Sequence, residues 1–186
     1  MPLIILCCYS SSNNVNVPPY EVDALYDLYV SAGGDQWFWG QSPGVPWNFT
    51  KDANPCIDDW EGILCNYTVT GGYIHINSIY LFDFGLEGIL PPSIGNISDL
   101  VNLTLANNLL QSTIPNSINQ LSSLTILDLN ANVFTGTFPD DLSGLSGLRT
   151  IDIGYSYLEG SILTSVCTLM ETTYLDISGN MFTGSI

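Results

Sequence analysis

The chain has 186 residues, 46% of them hydrophobic and 11% charged, with 18 acidic residues against only Lys51 and Arg149, which gives a formal net charge of −16. A strongly acidic chain repels nucleic acid and anionic membranes, which proteins bind through Lys and Arg, so both partner classes are excluded. The hydrophobic fraction is that of a core-forming globular protein rather than of a disordered acidic tail.

The N-terminus carries a candidate signal peptide over residues 1–12. An apolar run, Met1 to Cys8, is followed by the small polar residues Ser10 to Ser12. The run is short and lacks a positive flank, so a disordered leader or a wrong start codon stays open as the alternative. Elsewhere the chain holds no stretch near the roughly 18 apolar residues of a membrane span.

Residues 20–75 form a segment that we interpret as an N-terminal cap. Val22, Leu25, Leu28 and Tyr29 recur at helical spacing and stop before Gly33-Gly34, which predicts a short helix. Conspicuous residues then follow at fixed spacings: Gly34-Asp35-Gln36-Trp37, Trp47-Asn48, and Pro55-Cys56, Trp60-Glu61-Gly62 and Cys65.

Residues 76–186 repeat one pattern with an uninterrupted period of 24 residues, beginning at positions 76, 100, 124, 148 and 172. The pattern L-x-x-L-x-L-x-x-N-x-L at such a period indicates a leucine-rich repeat solenoid of five units, the last one incomplete. The sequence therefore predicts an α/β solenoid, a right-handed coil whose units stack into a parallel concave sheet, with a helical turn on the convex side.

Each repeated position has a physical task. The L-x-L step, as at Leu103 and Leu105, is a strand with its apolar side inward. The Asn that follows, as at Asn108, Asn132 and Asn180, bonds main-chain groups of neighbouring coils. Gly88, Gly136, Gly160 and Gly184 permit a backbone excursion that a β-carbon resists.

Four units depart from this pattern. Phe84 and Ser156 replace the Asn of the first and fourth units, Ser112 replaces a Gly, and Thr172 opens the fifth unit in place of Leu. Phe84 is expected to contact the cap. The chain stops at Ile186, inside a coil, so we expect the natural protein to continue beyond it.

The cap resembles that of plant-type leucine-rich repeat ectodomains, found in receptor-like kinases, receptor-like proteins and polygalacturonase inhibitors. Its pattern is a short helix, G-D-x-W and P-C-x-x-x-W-x-G-x-x-C, and Cys56, Trp60, Gly62 and Cys65 fall in register with it. The resemblance implies a Cys56–Cys65 disulfide that staples the cap, and a Trp60 that seals the first coil. It also implies secretion or display at the cell surface.

Strand phase selects the candidate ligand-binding residues of the concave face. Fifth positions point outward from the sheet, and beside them lie the seventh and eighth positions. The candidate set is Tyr80, Phe82, Asp83, Thr104, Asn107, Asp128, Asn130, Asp152, Tyr155 and Asp176. Carboxylates with aromatic neighbours suit a basic or polar peptide, since Lys and Arg pair with them. The alternative is that L-D-L is a common pattern in this repeat family and that these aspartates have no role in binding.

Sequons for N-glycosylation occur at Asn48, Asn66, Asn96 and Asn102. A glycan at Asn102 would obstruct the concave face, whereas Asn96 lies on the convex side.

Catalysis, metal binding and cofactor binding find little support in the sequence. His75, the one histidine, lies at the junction of cap and repeats, and no nucleophile–base set, phosphate loop or zinc-spaced cluster occurs. Asp52, Asp58, Asp59 and Glu61 lack the spacing of a calcium loop and are expected at a solvated edge of the cap.

The favoured function is a non-enzymatic extracellular module that recognises a protein or peptide on its concave face, as the ectodomain of a receptor does. The alternative is a structural cell-wall or matrix repeat protein. A third candidate, an ice- or surface-binding solenoid, needs a regular threonine ladder that the fifth positions do not form.

Overall fold

A computed structural model describes residues 15–161, 166 and 169–184. The candidate signal peptide at 1–12 and the last residue, Ile186, lie outside the described residues.

The cap begins with helix α1, Pro19–Ser31. Pro19 starts it because its fixed φ suits the first turn, where a missing N–H costs nothing. The predicted periodicity is confirmed, since Leu25 and Leu28 are buried against the solenoid. The helix ends before Gly33, whose φ of 74° belongs to the left-handed region. The Trp37 indole N–H donates to the Ala32 carbonyl at 2.8 Å and satisfies that carbonyl at the end of the helix.

Eleven strands follow in the described residues, and their bounds are β1 Ile63–Thr70, β2 Tyr73–Tyr80, β3 Glu87–Ile89, β4 Asn102–Thr104, β5 Leu109–Ser112, β6 Ile126–Asp128, β7 Val133–Thr137, β8 Thr150–Asp152, β9 Tyr157–Gly160, β10 Tyr174–Asp176 and β11 Met181–Phe182. The concave sheet has the order β1-β2-β4-β6-β8-β10, and a second sheet has the order β11-β9-β7-β5-β3. Strands β2 to β10 of the concave sheet are parallel, which confirms the predicted solenoid.

Two parts of this architecture were not predicted. Strand β1 pairs antiparallel with β2, so the cap contributes a hairpin to the concave sheet. Each repeat also contributes a short strand to the second sheet, next to its concave strand. The convex side carries the expected single helical turns, which are 3₁₀ turns at Pro92–Asn96 and Asn116–Gln120.

Stacking of the coils makes the core. Leu103, Leu127 and Ile151 lie in one register across β4, β6 and β8, and all three side chains are fully buried. Each such side chain contributes roughly 1.5–3 kcal/mol by leaving water. Leu175 repeats the position on β10 but is 42% exposed, because a strand flanks β10 on one side only in the described structure.

Buried asparagines tie successive coils together. The Asn108 side-chain oxygen accepts the Leu86 N–H at 3.0 Å, and its amide donates to the Leu81 carbonyl at 2.7 Å, both in the preceding unit. Asn132 and Asn180 repeat this pattern one and three units further on. The sequence-based role of these residues is confirmed.

The departures from the repeat have different consequences. Phe84 is buried where the first unit lacks its Asn, and its ring lies 6.0 Å from that of Trp39, so it joins the cap as expected. Ser112 holds a φ of 68°, a glycine-like conformation that the repeat imposes on it. Ser156 is buried, and its hydroxyl has no hydrogen-bond partner among the described residues.

An aromatic cluster and a disulfide build the cap's interior. Trp60 is fully buried and stacks on Trp47 with ring centroids 5.7 Å apart. The Cys56–Cys65 disulfide, with Cα atoms 5.8 Å apart, joins the segment before Trp60 to β1. A staple of this kind is worth about 2–4 kcal/mol to a small element with little core of its own.

The expectation that Glu61 lies at a solvated edge of the cap is wrong. Its side chain is 1% exposed, and its two oxygens accept the Gly40 N–H at 2.7 Å and the Ser42 N–H at 2.6 Å. A buried carboxylate is tolerated because backbone donors satisfy it. Its task is to fold the loop between Trp39 and Trp47.

A buried acid and the histidine fasten helix α1 to strand β2. Glu21 receives the Ile76 N–H at 2.9 Å on one oxygen and lies 2.6 Å from His75 Nδ1 with the other, and Asp99 lies 3.6 Å from the same nitrogen. Burial raises the pKa of Glu21, and the hydrogen bonds from Ile76 and His75 only partly offset it. Burial alone would lower the pKa of His75, but the hydrogen bond and charge of Glu21 outweigh it and raise that pKa.

We expect Ser156→Asn to stabilise the solenoid. The new amide restores the missing link between the third and fourth coils and replaces a buried hydroxyl without a partner, so the free energy of unfolding should rise by about 1 kcal/mol. Urea denaturation measures it. The reciprocal change, Asn132→Ser, should lower the free energy of unfolding by about 2 kcal/mol, because it leaves buried backbone groups unpaired. Equal stability of all three proteins would contradict the role of these residues.

Stability should fall as the pH rises through neutrality. A histidine whose pKa is raised on folding contributes stability below its ordinary pKa of 6.5, and that stability is lost as pH rises through the folded value. The raised pKa of Glu21 acts in the same direction at lower pH. Thermal unfolding between about pH 6 and about pH 8 should show the fall, and His75→Gln, which keeps a donor but does not titrate, should flatten it. An identical slope in His75→Gln would contradict this account.

Candidate ligand-binding face

The concave sheet aligns the fifth positions of the five units in one column. Tyr80 pairs with Thr104, Thr104 with Asp128, Asp128 with Asp152, and Asp152 with Asp176. Adjacent strands lie about 4.8 Å apart, so the three carboxylates form a contiguous row. The arrangement that strand phase predicted is present; whether it binds a ligand stays a prediction.

Each aspartate of this row has one structural oxygen. Oδ1 accepts a backbone N–H from two residues further on, from Asn130 to Asp128 at 3.2 Å, and from Gly154 to Asp152 at 3.2 Å. Asp176 does the same with Ser178 at 2.8 Å. These bonds turn the chain at the end of each strand. The Ser178 hydroxyl also bonds the Asp176 carboxylate, and the two bonds from Ser178 lower the pKa of Asp176. For Asp128 and Asp152, the hydrogen bonds found in the described residues reach Oδ1, and Oδ2 is left for other partners.

The row is electrostatically uncompensated. Within the described part of the chain no basic side chain lies within 4.0 Å of its carboxylates. Burial raises the pKa of Asp128, and the charge of Asp152 adds to this. The negative charge of the row, that of Asp152 above all, raises the pKa of the exposed Tyr174. A cation placed here would therefore relieve repulsion between like charges.

The end of the face next to the cap is aromatic instead of acidic. Tyr80 is 45% exposed and Phe82 44%, and their rings are stacked with centroids 6.5 Å apart. Leu64 on β1 is also exposed, beside Ser78 on β2. Exposed aromatic and aliphatic side chains clustered on a sheet are typical of protein-binding surfaces.

One member of the predicted set does not fit its expected role. Thr104 lies in the column but is only 6% exposed, and its hydroxyl donates to the Asn102 side-chain oxygen at 2.9 Å. The cause is its short side chain, which lies between the longer Tyr80 and Asp128. Thr104 is therefore floor rather than contact surface.

The flanking candidates lie along one side of the column. Asn130 is half-buried and donates to Asp152 at 3.0 Å, so it orients that carboxylate. Asp83 and Asn107 are exposed and hold left-handed φ values of 60° and 57°. Both residue types tolerate that conformation.

Tyr155 holds the same left-handed conformation at an unfavourable residue type. The eighth position has a positive φ in every unit, occupied by Asp83, Asn107, Ala131, Tyr155 and Gly179. A bulky residue there is strained, and strain of this kind collects at functional sites. Tyr155 is 62% exposed, and its ring lies over Gly179, where an added β-carbon would come within 2.8 Å of the ring. The fold requires the backbone turn at this position but not a tyrosine.

Sequence reasoning missed Leu64 and Tyr174, which extend the exposed apolar surface at the two ends of the sheet. Tyr174 stands at a third position, in register with Thr150, and the same repeat phase that selected the fifth positions could have found it. Leu64 belongs to the cap hairpin, which lies outside the repeat and has no periodic pattern.

The sequons differ in accessibility. Asn48, Asn66 and Asn96 are exposed, whereas Asn102 is half-buried with its side chain bonded to Thr104. Glycosylation of all four stays a prediction.

Across residues 15–161 and 169–184, no group of three or more His, Cys, Asp or Glu is arranged to hold a metal ion. Helices long and apolar enough to cross a membrane are likewise not found in the described residues.

Known proteins share both the repeat and the architecture. The leucine-rich repeat family profile matches residues 98–158. A probable leucine-rich repeat receptor-like serine/threonine-protein kinase of Arabidopsis thaliana is 33% identical over 57 residues, 31% of this chain and 6% of that protein. The chain thus spans less than a tenth of the length of the curated relatives it matches.

Two solved structures from the same plant are similar over most of the chain. The ectodomain of the receptor kinase SOBIR1 superposes with a TM-score of 0.75 at 27% identity, covering 92% of this chain and 85% of that one. The ectodomain of GASSHO1/SCHENGEN3 was solved in complex with CASPARIAN STRIP INTEGRITY FACTOR 2. It superposes with a TM-score of 0.73 at 29% identity, covering 88% of this chain and 19% of that one.

The strain at Tyr155 predicts a gain in stability when it is removed. Tyr155→Asn should raise the free energy of unfolding by about 0.5–1 kcal/mol, because Asn tolerates a positive φ better than a bulky residue. Asn107→Tyr, at the equivalent position, should lower it by a similar amount. Urea denaturation of both variants checks the pair. Destabilisation by Tyr155→Asn would show that the contact of the ring with Gly179 outweighs the strain.

Proposed function

We propose that this chain, which is similar to plant leucine-rich repeat ectodomains, is a non-enzymatic recognition module that binds a basic protein or peptide segment on its concave face. In this proposal residues 20–75 are the cap and residues 76–186 the repeats. Tyr80, Phe82, Asp152, Tyr155 and Asp176 are the principal contacts, and Asp128 adds negative charge beside them.

The observation that carries the proposal is the row of three carboxylates, each bonded to a backbone N–H and none with a basic side chain within 4.0 Å in the described residues. Like charges on adjacent strands destabilise a sheet unless something offsets them. A Lys or Arg side chain offsets them with charge-assisted hydrogen bonds, which are about twice as strong as neutral ones. The tyrosine held in a strained conformation beside the row supports the same conclusion.

The comparisons support this class of function. The similar ectodomain of GASSHO1/SCHENGEN3 was solved in complex with CASPARIAN STRIP INTEGRITY FACTOR 2, and we extend the binding of a partner to this chain by analogy. Enzymatic chemistry has little support, since an open, solvated sheet is a poor place to raise a carboxyl pKa for acid catalysis.

An extracellular location follows as part of the proposal. A disulfide persists in oxidising compartments, and exposed sequons at Asn48, Asn66 and Asn96 suit a glycoprotein. Secretion would present the concave face to soluble ligands. The candidate alternative, a structural wall or matrix protein, predicts self-assembly rather than saturable binding of a basic peptide.

Neutralising the row should weaken binding. Asp128→Asn combined with Asp152→Asn keeps the side-chain oxygen that turns each strand end and removes only the charge. We expect affinity for a lysine-rich peptide to fall at least about tenfold, and the remaining affinity to depend less on salt. Isothermal titration calorimetry at two salt concentrations measures both effects.

The matched control removes two exposed charges outside the concave sheet, Asp140→Asn with Glu171→Gln, and changes net charge equally. Ser143→Ala is a neutral control on the convex side. Equal losses in the concave and control variants would mean that net charge alone attracts the peptide, and the concave row would then have no special part in recognition.

A further inference from the structure

We infer that the concave face binds an extended peptide in one direction. An aromatic or aliphatic side chain of the peptide contacts Tyr80 and Phe82 near the cap. Basic side chains four and six residues further along the peptide contact Asp152 and Asp176. The inference rests on the proposed function and adds to it the order and spacing of the ligand's side chains.

The face divides into two chemically distinct ends. Next to the cap, the stacked rings of Tyr80 and Phe82 and the exposed Leu64 form an apolar surface. Two units further on, the carboxylates begin at Asp128 and continue to Asp176. A peptide that is entirely apolar or entirely basic would match only one end of the face, because the end next to the cap favours apolar contacts and the other end favours pairing with positive charge.

A neutral floor separates the two ends. Thr104 is buried with its hydroxyl bonded to Asn102, and Asn102 itself is half-buried. The middle of the face therefore offers neither an exposed ring nor a charge. The protein imposes little preference on the ligand side chains that lie over this floor, so we expect small polar residues at those positions of the peptide.

The spacing of the strands sets the distance between the aromatic end and the acidic end of the face. Strands in register lie about 4.8 Å apart, so Asp152 and Asp176 stand about 14 Å and about 19 Å from Tyr80 along the solenoid axis. An extended peptide advances about 3.3 Å per residue, and side chains an even number of residues apart point the same way. Four and six residues span about 13 Å and about 20 Å, which matches the distances of Asp152 and Asp176 from Tyr80.

Asp128 has a different part in this scheme. It stands about 10 Å from Tyr80, a span of about three residues, and an extended peptide would point its third side chain away from the sheet. Asp152 and Asp176 therefore set the spacing, while Asp128 contributes to the field.

The test is a selection from a library of random twelve-residue peptides displayed on phage, against the disulfide-bonded chain. Enriched peptides should carry an aromatic or aliphatic residue four positions from one Lys or Arg and six from another. Enrichment should be lost against Asp152→Asn with Asp176→Asn, and also against Tyr80→Ala with Phe82→Ala. The control bait is Asp140→Asn with Glu171→Gln, which should enrich the same peptides.

Double-mutant cycles then assign each contact. Replacing the peptide's aromatic residue with Ala should cost about tenfold in affinity for the chain and less than about twofold for Tyr80→Ala with Phe82→Ala. Replacing a peptide Lys with Gln should couple to Asp152→Asn in the same way and not to the aromatic pair. Coupling in the crossed combinations would overturn the order of the side chains.

The outcomes separate the inference from the proposed function. Enriched peptides that need the aspartates but show no fixed spacing, or need no aromatic residue, overturn the inference and leave the concave site standing. Peptides indifferent to both pairs of substitutions, or no enrichment at all, overturn both.

Discussion

Each coil of this protein can bury its leucines only against the coils on either side of it. A strand of three residues has an apolar side too small to exclude water alone, so the stacking of fully buried side chains such as Leu103, Leu127 and Ile151 supplies the core. Stacking requires every coil to have the same length and register. Where that condition holds, residues 24 positions apart are placed side by side. The columns on the concave surface are a direct consequence of how the core is built.

The polar groups follow the same rule. Asn108, Asn132 and Asn180 satisfy backbone groups between coils that the short strands leave open. The first unit has Phe84 in place of such an asparagine, and the cap substitutes for the missing bonds. Trp39 packs on Phe84 while Glu21 bonds both the Ile76 N–H and His75. The cap is thus both a cover for apolar surface and a source of hydrogen bonds for the first coil.

Most of the fold could be predicted because a 24-residue period leaves few alternatives. The repeat phase placed Asp128, Asp152 and Asp176 in one row, and the structure has that row. Burial within the row was not predictable from phase alone, since the exposure of Thr104 depends on the lengths of its neighbours. Glu61 was misplaced because nothing in the sequence identifies which backbone donors a carboxylate will meet. The second sheet and the β1–β2 hairpin depend on how the chain leaves each coil, which the leucine pattern does not encode.

The most direct test of the account is to label all accessible carboxyl groups of the chain with a carbodiimide and an amine, with and without a peptide enriched from the random library, and to quantify each site by mass spectrometry. The account predicts that labelling of Asp152 and Asp176 falls when the peptide is bound, whereas Asp140, Asp141 and Glu171 are labelled equally in both states. Protection confined to carboxyl groups outside the concave sheet, with Asp152 and Asp176 unchanged, would contradict the claim that the stacked repeats build a recognition surface on that face.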